Sequence, residues 1–203
     1  MPRTADHTTR RAQIAEALVR VATRDGLHAV SMRSVAAEAG ISLRLVQYYF
    51  QTKTGLLIGA LEHLEQQSRQ RWADRLSGLA DPPPTRAFME AFVAEALPTD
   101  EPSRAFHLVG TSYAMLARTD PDLAAHPFAA GIDRLEDQLA HALTRARDNG
   151  DLAPGLDPLF EATRLVMMVN GLGTAVLAGH RDPDYALAVL HDHLDRIFPI
   201  TMS

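Results

Sequence analysis

The chain of 203 residues contains no cysteine, which excludes disulfides, iron–sulfur clusters and thiolate zinc sites and fits a reducing cytosol. Trp72 is its only tryptophan and Lys53 its only lysine, so every other fixed cation is an arginine. No apolar run approaches the ~18 residues a membrane span needs. The opening segment MPRTADHTTRRAQ is polar, so a secretory leader is not expected and a soluble, cytoplasmic protein is. The sequence holds no strand-like alternation, repeat or low-complexity tract. It also holds no nucleophile elbow, phosphate loop, dinucleotide fingerprint or metal-ligand spacing. His191 and His193 are two apart and face different sides of a helix, a poor metal pair. No catalytic residue, metal site or cofactor is therefore expected.

What is present is apolar and helical. Apolar residues make up 46% of the chain, enough for one small and one medium domain around real cores. The net charge of −5 is unevenly spread. Residues 1–55 carry eight Lys+Arg against four Asp+Glu, a formal +4, whereas residues 56–203 carry twelve against twenty-one, a formal −9. A basic head on an acidic body is expected when only one end meets phosphates.

The informative stretch is SMRSVAAEAGISLRLVQYYFQTK, Ser31 to Lys53. Val35, Ala36 and Ala39 share a helical face with Ser31 available as cap, and Gly40 supplies a permissive turn. Ser42 can cap a second segment in which Val46 and Phe50 point inward. Leu43, Arg44, Leu45, Gln47 and Tyr48 are left on the outward side. Two helices joined by a short glycine turn describe a helix-turn-helix, over about residues 32–51. An ordinary helical hairpin shares that spacing.

The segment GISLRLVQYYFQTKTGLL resembles the recognition segment of the TetR/AcrR family of bacterial transcriptional regulators. The resemblance rests on Gly40, Ile41, Ser42, Val46, the Tyr48-Tyr49-Phe50 run, and Lys53 followed by Leu56-Leu57, and it extends over residues 10 to 60 or so. Gln47 departs from it, since the family usually has tyrosine there, so that tyrosine's phosphate contact does not carry over. Carried across by position, Arg33, Leu43, Arg44, Leu45 and Gln47 fall where the family reads base edges or positions the groove. Ser31, Ser42, Tyr48, Tyr49, Thr52 and Lys53 fall where it holds phosphates or braces the recognition helix. Arg33 and Arg44 have the fork that suits guanine, and Gln47 suits adenine.

Around this motif the chain reads as all-α, with about nine helices. The first carries Ile14, Leu18 and Val21 inward, with Thr8 or Thr9 as cap and Asp25-Gly26 as stop. Arg10 and Arg11 either reach a flanking phosphate or the minor groove, or belong to a disordered, solvated arm. A long helix from Lys53 to about Leu76 precedes the DPPP break at 81–84. The expected division is a DNA-binding domain over 1–55 and a ligand-binding and dimerisation domain over 56–203. Further helices are expected over 85–97, 102–118, 121–149, 158–178 and 185–198. The helix over 158–178 is apolar nearly all round, so it must be covered on every side. Gly171 and Gly173 within it would admit a close backbone.

Trp72, Phe88, Phe92, His107, Ser112, Tyr113, Met115, Phe128, Met167 and Asn170 mix aromatic, adaptable and polar groups suited to a ligand cavity. For any one of them taken alone, plain core packing, with Met filling gaps, is the favoured account. The resemblance implies such a pocket, and a homodimer built by the last two helices, 158–178 and 185–198. The NGL at 170–172 and the last helix opened by DPD are similar to the betaine-responsive branch. The function implied is a one-component repressor released from a palindromic double-stranded operator by a small-molecule effector. The rival is an all-α enzyme or ligand carrier with a purely structural hairpin, which the basic head and the missing catalytic constellation disfavour.

Overall fold

The computed structural model describes residues 2–125 and 131–199, so Phe128 lies outside the described residues. They form ten α-helices and one 3-10 turn, with no strand among them. One helix, α7 (Pro121–Ala124), is a single turn, and setting it aside gives the expected nine. Among the described residues no helix is long and apolar enough to cross a membrane.

The chain divides into two compact units. The first comprises Met1–Gln67 and Leu108–Ala129. It holds α1 (Pro2–Asp25), the 3-10 turn Leu27–Ala29, α2 (Met32–Glu38), α3 (Leu43–Phe50), the first part of α4 (Lys53–Leu76), the second part of α6 (Glu101–Ala117), and α7. The inner stripe of α1 is as the spacing predicts, with Ile14, Leu18 and Val21 buried. Its start is not: α1 begins at Pro2, so Thr8 and Thr9 lie inside it rather than capping it. Proline suits a first turn, because it lacks the N–H that has no partner there, and nothing from Arg3 to Thr9 breaks a helix. Val30, Val35, Val46 and Phe50 join Leu56, Leu57, Leu61 and Leu64 of α4 in the core. On the outside Glu38 of α2 accepts from Arg20 Nε at 2.8 Å and Arg24 Nη1 at 2.9 Å of α1. Those bonds hold its carboxyl below the usual range.

The second unit comprises Ser68–His107 and Ala130–Ser203. It packs α5 (Thr85–Ala96), α8 (Gly131–Asn149), α9 (Pro158–Leu177) and α10 (Pro183–Ile197) around one apolar core that includes Met89, Phe92, Leu139, Leu143, Leu165 and Leu190. Asp157 caps α9 through the N–H groups of Leu159 and Phe160, and Asp182 caps α10 through that of Asp184, each followed by proline. The single helix expected over 121–149 is instead α7 and α8, and the sequence between them contains Pro127, which cannot donate to a helix ladder.

Its own unit covers only part of α9. Ala162, Leu165, Val166, Val169 and Val176 are buried, but Leu159, Phe160 and Met167 are 51%, 68% and 51% exposed. The two glycines differ as well. A methyl at Gly173 would lie 2.3 Å from His107 Cε1 of the same chain, whereas one at Gly171 meets nothing within 4 Å.

Candidate nucleic-acid interface and effector residues

Local chemistry sets the helix pair. Ser31 Oγ accepts from Ser34 N at 3.0 Å while Ser34 Oγ accepts from Ser31 N at 2.9 Å, a complete capping box on α2. At its other end Gly40, with φ +66, donates to Ala37 O at 3.2 Å, and Ile41 N donates to Ala36 O at 3.0 Å. Those two bonds form a Schellman closure, whose left-handed residue favours glycine. Ser42 Oγ then accepts from Leu45 N at 3.2 Å and starts α3.

The expected interface residues are placed as follows. Ser31, Arg33, Ser42, Arg44, Gln47, Tyr48, Thr52 and Lys53 are exposed, Tyr48 at 69%. Leu43, Leu45 and Tyr49 are half-buried, so only part of each faces outward. Among the described residues no carboxylate pairs with Arg33, Arg44 or Lys53 within 4.0 Å. Thr52 Oγ1 caps α4 by accepting from Gly55 N at 2.9 Å. Between α3 and α4, Gln51 takes φ 55, and Thr52 N donates to Phe50 O at 2.5 Å. That tight γ-type turn is a strained conformation for a residue other than glycine.

Three residues that fix the end of α3 escape a sequence reading. A methyl at Gly59 would lie 2.3 Å from Phe50 Cε1, and one at Gly55 would lie 2.6 Å from Phe50 O. Both glycines are thus the near wall against which α3 ends. At the same helix end Arg11 Nη1 donates to Tyr49 O at 3.0 Å, with its guanidinium carbon 4.6 Å from the Phe50 ring centroid. Arg11 therefore turns inward, while Arg10 bonds Gln13 Oε1 at 2.9 Å. The available signal was two glycines in the first two turns of an otherwise strong helix former, which points to a close approach.

The expected effector residues fall in both units. In the second, Trp72 has its ring centroid 5.0 Å from that of Phe88 and 5.8 Å from that of Phe92. Trp72 Nε1 is buried without a hydrogen-bond partner. Beside them Glu95, 5% exposed, accepts from Ser68 Oγ at 2.8 Å and from Arg71 Nη2 at 2.6 Å. Burial pushes the pKa of His107 down, against the opposing pull of the Ala96 and Asn170 backbone. Asn170 and Met167 are exposed. In the first unit Tyr113 is buried and donates its hydroxyl to Leu123 O, Ser112 is half-buried, and Met115 is 64% exposed. A surface cleft of about 460 Å³ in the second unit is lined by other residues, among them Thr85, Arg86 and Phe198.

A second part-buried histidine, His193 of α10, has Nε2 3.5 Å from Glu161 Oε2 of α9. Burial, then Arg164 and Arg196, push it down against the opposing pull of Glu161 and Asp192. Both histidines therefore titrate below the ordinary 6.5 in the folded state. Their contribution to stability is complete above that value and is lost as pH falls through it toward the folded values, because the unfolded chain takes up the proton first. Denaturant midpoints at about pH 7.5 and about pH 5.5 should show a loss that His107→Gln with His193→Gln reduces. An equal loss in that double variant would assign the acid sensitivity elsewhere.

Comparison with known proteins gives the arrangement its context. Residues 14–60 match the family model described as bacterial regulatory proteins, tetR family. Residues 84–199 match the one described as BetI-type transcriptional repressor, C-terminal. The HTH-type transcriptional regulator PksA of Bacillus subtilis is 30% identical over 174 residues, covering 85% of this chain and 80% of that protein. The regulator BetI of Burkholderia lata is 27% identical over 96% of this chain and 97% of its own. A transcriptional regulator from Saccharomonospora viridis, solved in complex with choline, superposes with TM-score 0.83 at 25% identity, covering 93% of this chain and 96% of that one. A capped helix pair at one end and a BetI-type second half at the other agree with these matches: the chain belongs to the TetR family of transcriptional regulators.

Proposed function

We propose that this regulator is a homodimeric, cytoplasmic repressor that holds a palindromic operator and leaves it when a small molecule binds its C-terminal half. In this reading residues 1–55 bind DNA, through α2, α3 and the start of α4, while residues 56–203 bind the effector and dimerise. The observation that carries it is the exposed set of Arg33, Arg44 and Lys53 on three successive capped helices, left without carboxylate partners among the described residues. Phosphates and guanine edges are the natural partners of such cations. The operator is expected to present half-sites about one helical turn apart, or a small multiple of that.

The test begins with a duplex selected by the wild-type protein from a random-sequence library, compared with a scrambled duplex of equal length. Arg44→Ala should cost about 1–3 kcal/mol on the selected duplex and relax preference at one position. Lys53→Ala should weaken both duplexes alike and lower the salt slope by about one. If Lys53→Ala changed which sequences bind, its role would be base reading. If the wild-type protein enriched no duplex at all, the carrier reading would take over.

For the effector, choline is the first probe, because the Saccharomonospora viridis relative was solved with it. Trp72 and Phe88, both part-buried, are aromatic rings of the kind to which a quaternary ammonium is drawn. Trp72 emission should shift at the concentrations that release the selected duplex. Release with flat Trp72 emission, and unchanged potency in Trp72→Ala, would remove Trp72 from the effector site.

A further inference from the structure

The guanidinium of Arg11 has three partners, all in the first unit. It donates from Nη1 to Tyr49 O at 3.0 Å, lies 4.6 Å from the centroid of the Phe50 ring, and places Nη2 4.0 Å from Glu62 Oε2 of α4. Tyr49 and Phe50 are the last two residues of α3, where helix carbonyls lack intrahelical donors. A cation at that end also complements the helix dipole. The Cε1 edge of the Phe50 ring is closed by Gly59, where an added methyl would lie 2.3 Å away. A few residues earlier on α1, His7 packs against the Tyr49 ring with centroids 4.7 Å apart and the planes tilted by 54°. The C-terminal end of α3 is thus held by both α1 and α4.

We infer that Arg11 is a positioning residue for operator recognition, clamping the C-terminal end of α3, and not a phosphate contact. The inference rests on the DNA-binding reading above. A planar guanidinium suits the position because it can donate in its own plane to the Tyr49 carbonyl while stacking its face on Phe50, which an ammonium cannot do. Released from this clamp, α3 keeps its caps and its charges but loses a fixed angle in the groove. Base contacts need that angle, whereas attraction to the phosphates needs only charge.

The experiment measures binding of the wild type, Arg11→Lys and Arg11→Met to the selected and scrambled duplexes over a range of salt concentrations, by fluorescence anisotropy. A wild type that prefers neither duplex would overturn the DNA-binding reading itself, so the two failures are separable. With that preference in hand, Arg11→Lys is expected to lose about tenfold on the selected duplex, little on the scrambled one, and to keep the wild-type salt slope. Arg11→Met should lose at least as much selectivity, again with an unchanged slope. The clamp is overturned if Arg11→Lys binds both duplexes as the wild type does. It is equally overturned if Arg11→Met weakens both duplexes alike and lowers the slope by about one, as loss of a phosphate contact would. Should Arg11→Met fail to fold, as judged by far-UV circular dichroism, the lysine variant alone decides, because it keeps the charge.

Discussion

Gly59→Ala should destabilise the protein and abolish its preference for the selected duplex, although alanine is the better helix former. On propensity alone the change favours α4 by about 1 kcal/mol. The added methyl, however, would stand 2.3 Å from Phe50 Cε1 and 3.1 Å from Cδ1, well inside contact distance. Phe50 is only 5% exposed, with Arg11 over its ring, so the ring has no vacant place to move into. Overpacking of this kind costs about 1–3 kcal/mol, enough to reverse the sign. The strain falls on the last residue of α3, so α3 must shift. Denaturant titration would read the stability, and binding to the selected and scrambled duplexes would read the shift. Phe50→Leu in the Gly59→Ala background should recover part of both losses, a coupling that only neighbours show. Gly55→Ala supplies the contrast. Its methyl would meet Phe50 O at 2.6 Å, a backbone atom that Phe50→Leu cannot remove. Wild-type stability and selectivity in Gly59→Ala would show that Phe50 repacks freely, and the wall described for α3 would not exist.

The same residues mark the limit of what a sequence discloses. Ser31, Gly40 and Ser42 were legible because caps and left-handed turns are local chemistry, decided within three or four residues. Asp157-Pro158 and Asp182-Pro183 were legible for the same reason. Arg11 was not, since its partner carbonyl lies 38 residues away and only the packing of α1 on α3 brings them together. Aromatic residues at helical spacing raise a different difficulty: the pattern is identical whether they line a cavity or fill a core. Tyr113 proves fully buried and bonded to a backbone carbonyl, while Met115, from the same helical pattern, is largely exposed. For α9, composition gave the amount of apolar surface correctly, but not which side its own unit covers. Gly173 answers to His107 of the same chain, so only Gly171 remains as an unexplained opening.

That open side leads to the other large effect expected. Phe160→Glu combined with Met167→Glu should leave a folded chain that is monomeric and no longer prefers a palindromic duplex. The two side chains are 68% and 51% exposed and seven residues apart, two helical turns, so they share a face of α9. Tyr185 of α10 is 56% exposed as well. Because these groups already meet solvent, charging them should not disturb the core formed by Leu165, Val166 and Val169. In a two-fold dimer each substitution appears twice, and each buried side chain of this size is worth about 1.5–3 kcal/mol. The dimer should therefore weaken by at least about 100-fold, before counting repulsion among four carboxylates. Gly171→Leu tests the same face by bulk instead of charge, since its own chain offers no obstacle within 4 Å. Sedimentation velocity at micromolar concentration would separate monomer from dimer, and far-UV circular dichroism would confirm folding. A double variant that sediments as a dimer like the wild type would show that this face of α9 is not the interface. A wild type that is monomeric, yet binds one half-site as tightly as two, would dispose of the dimer altogether.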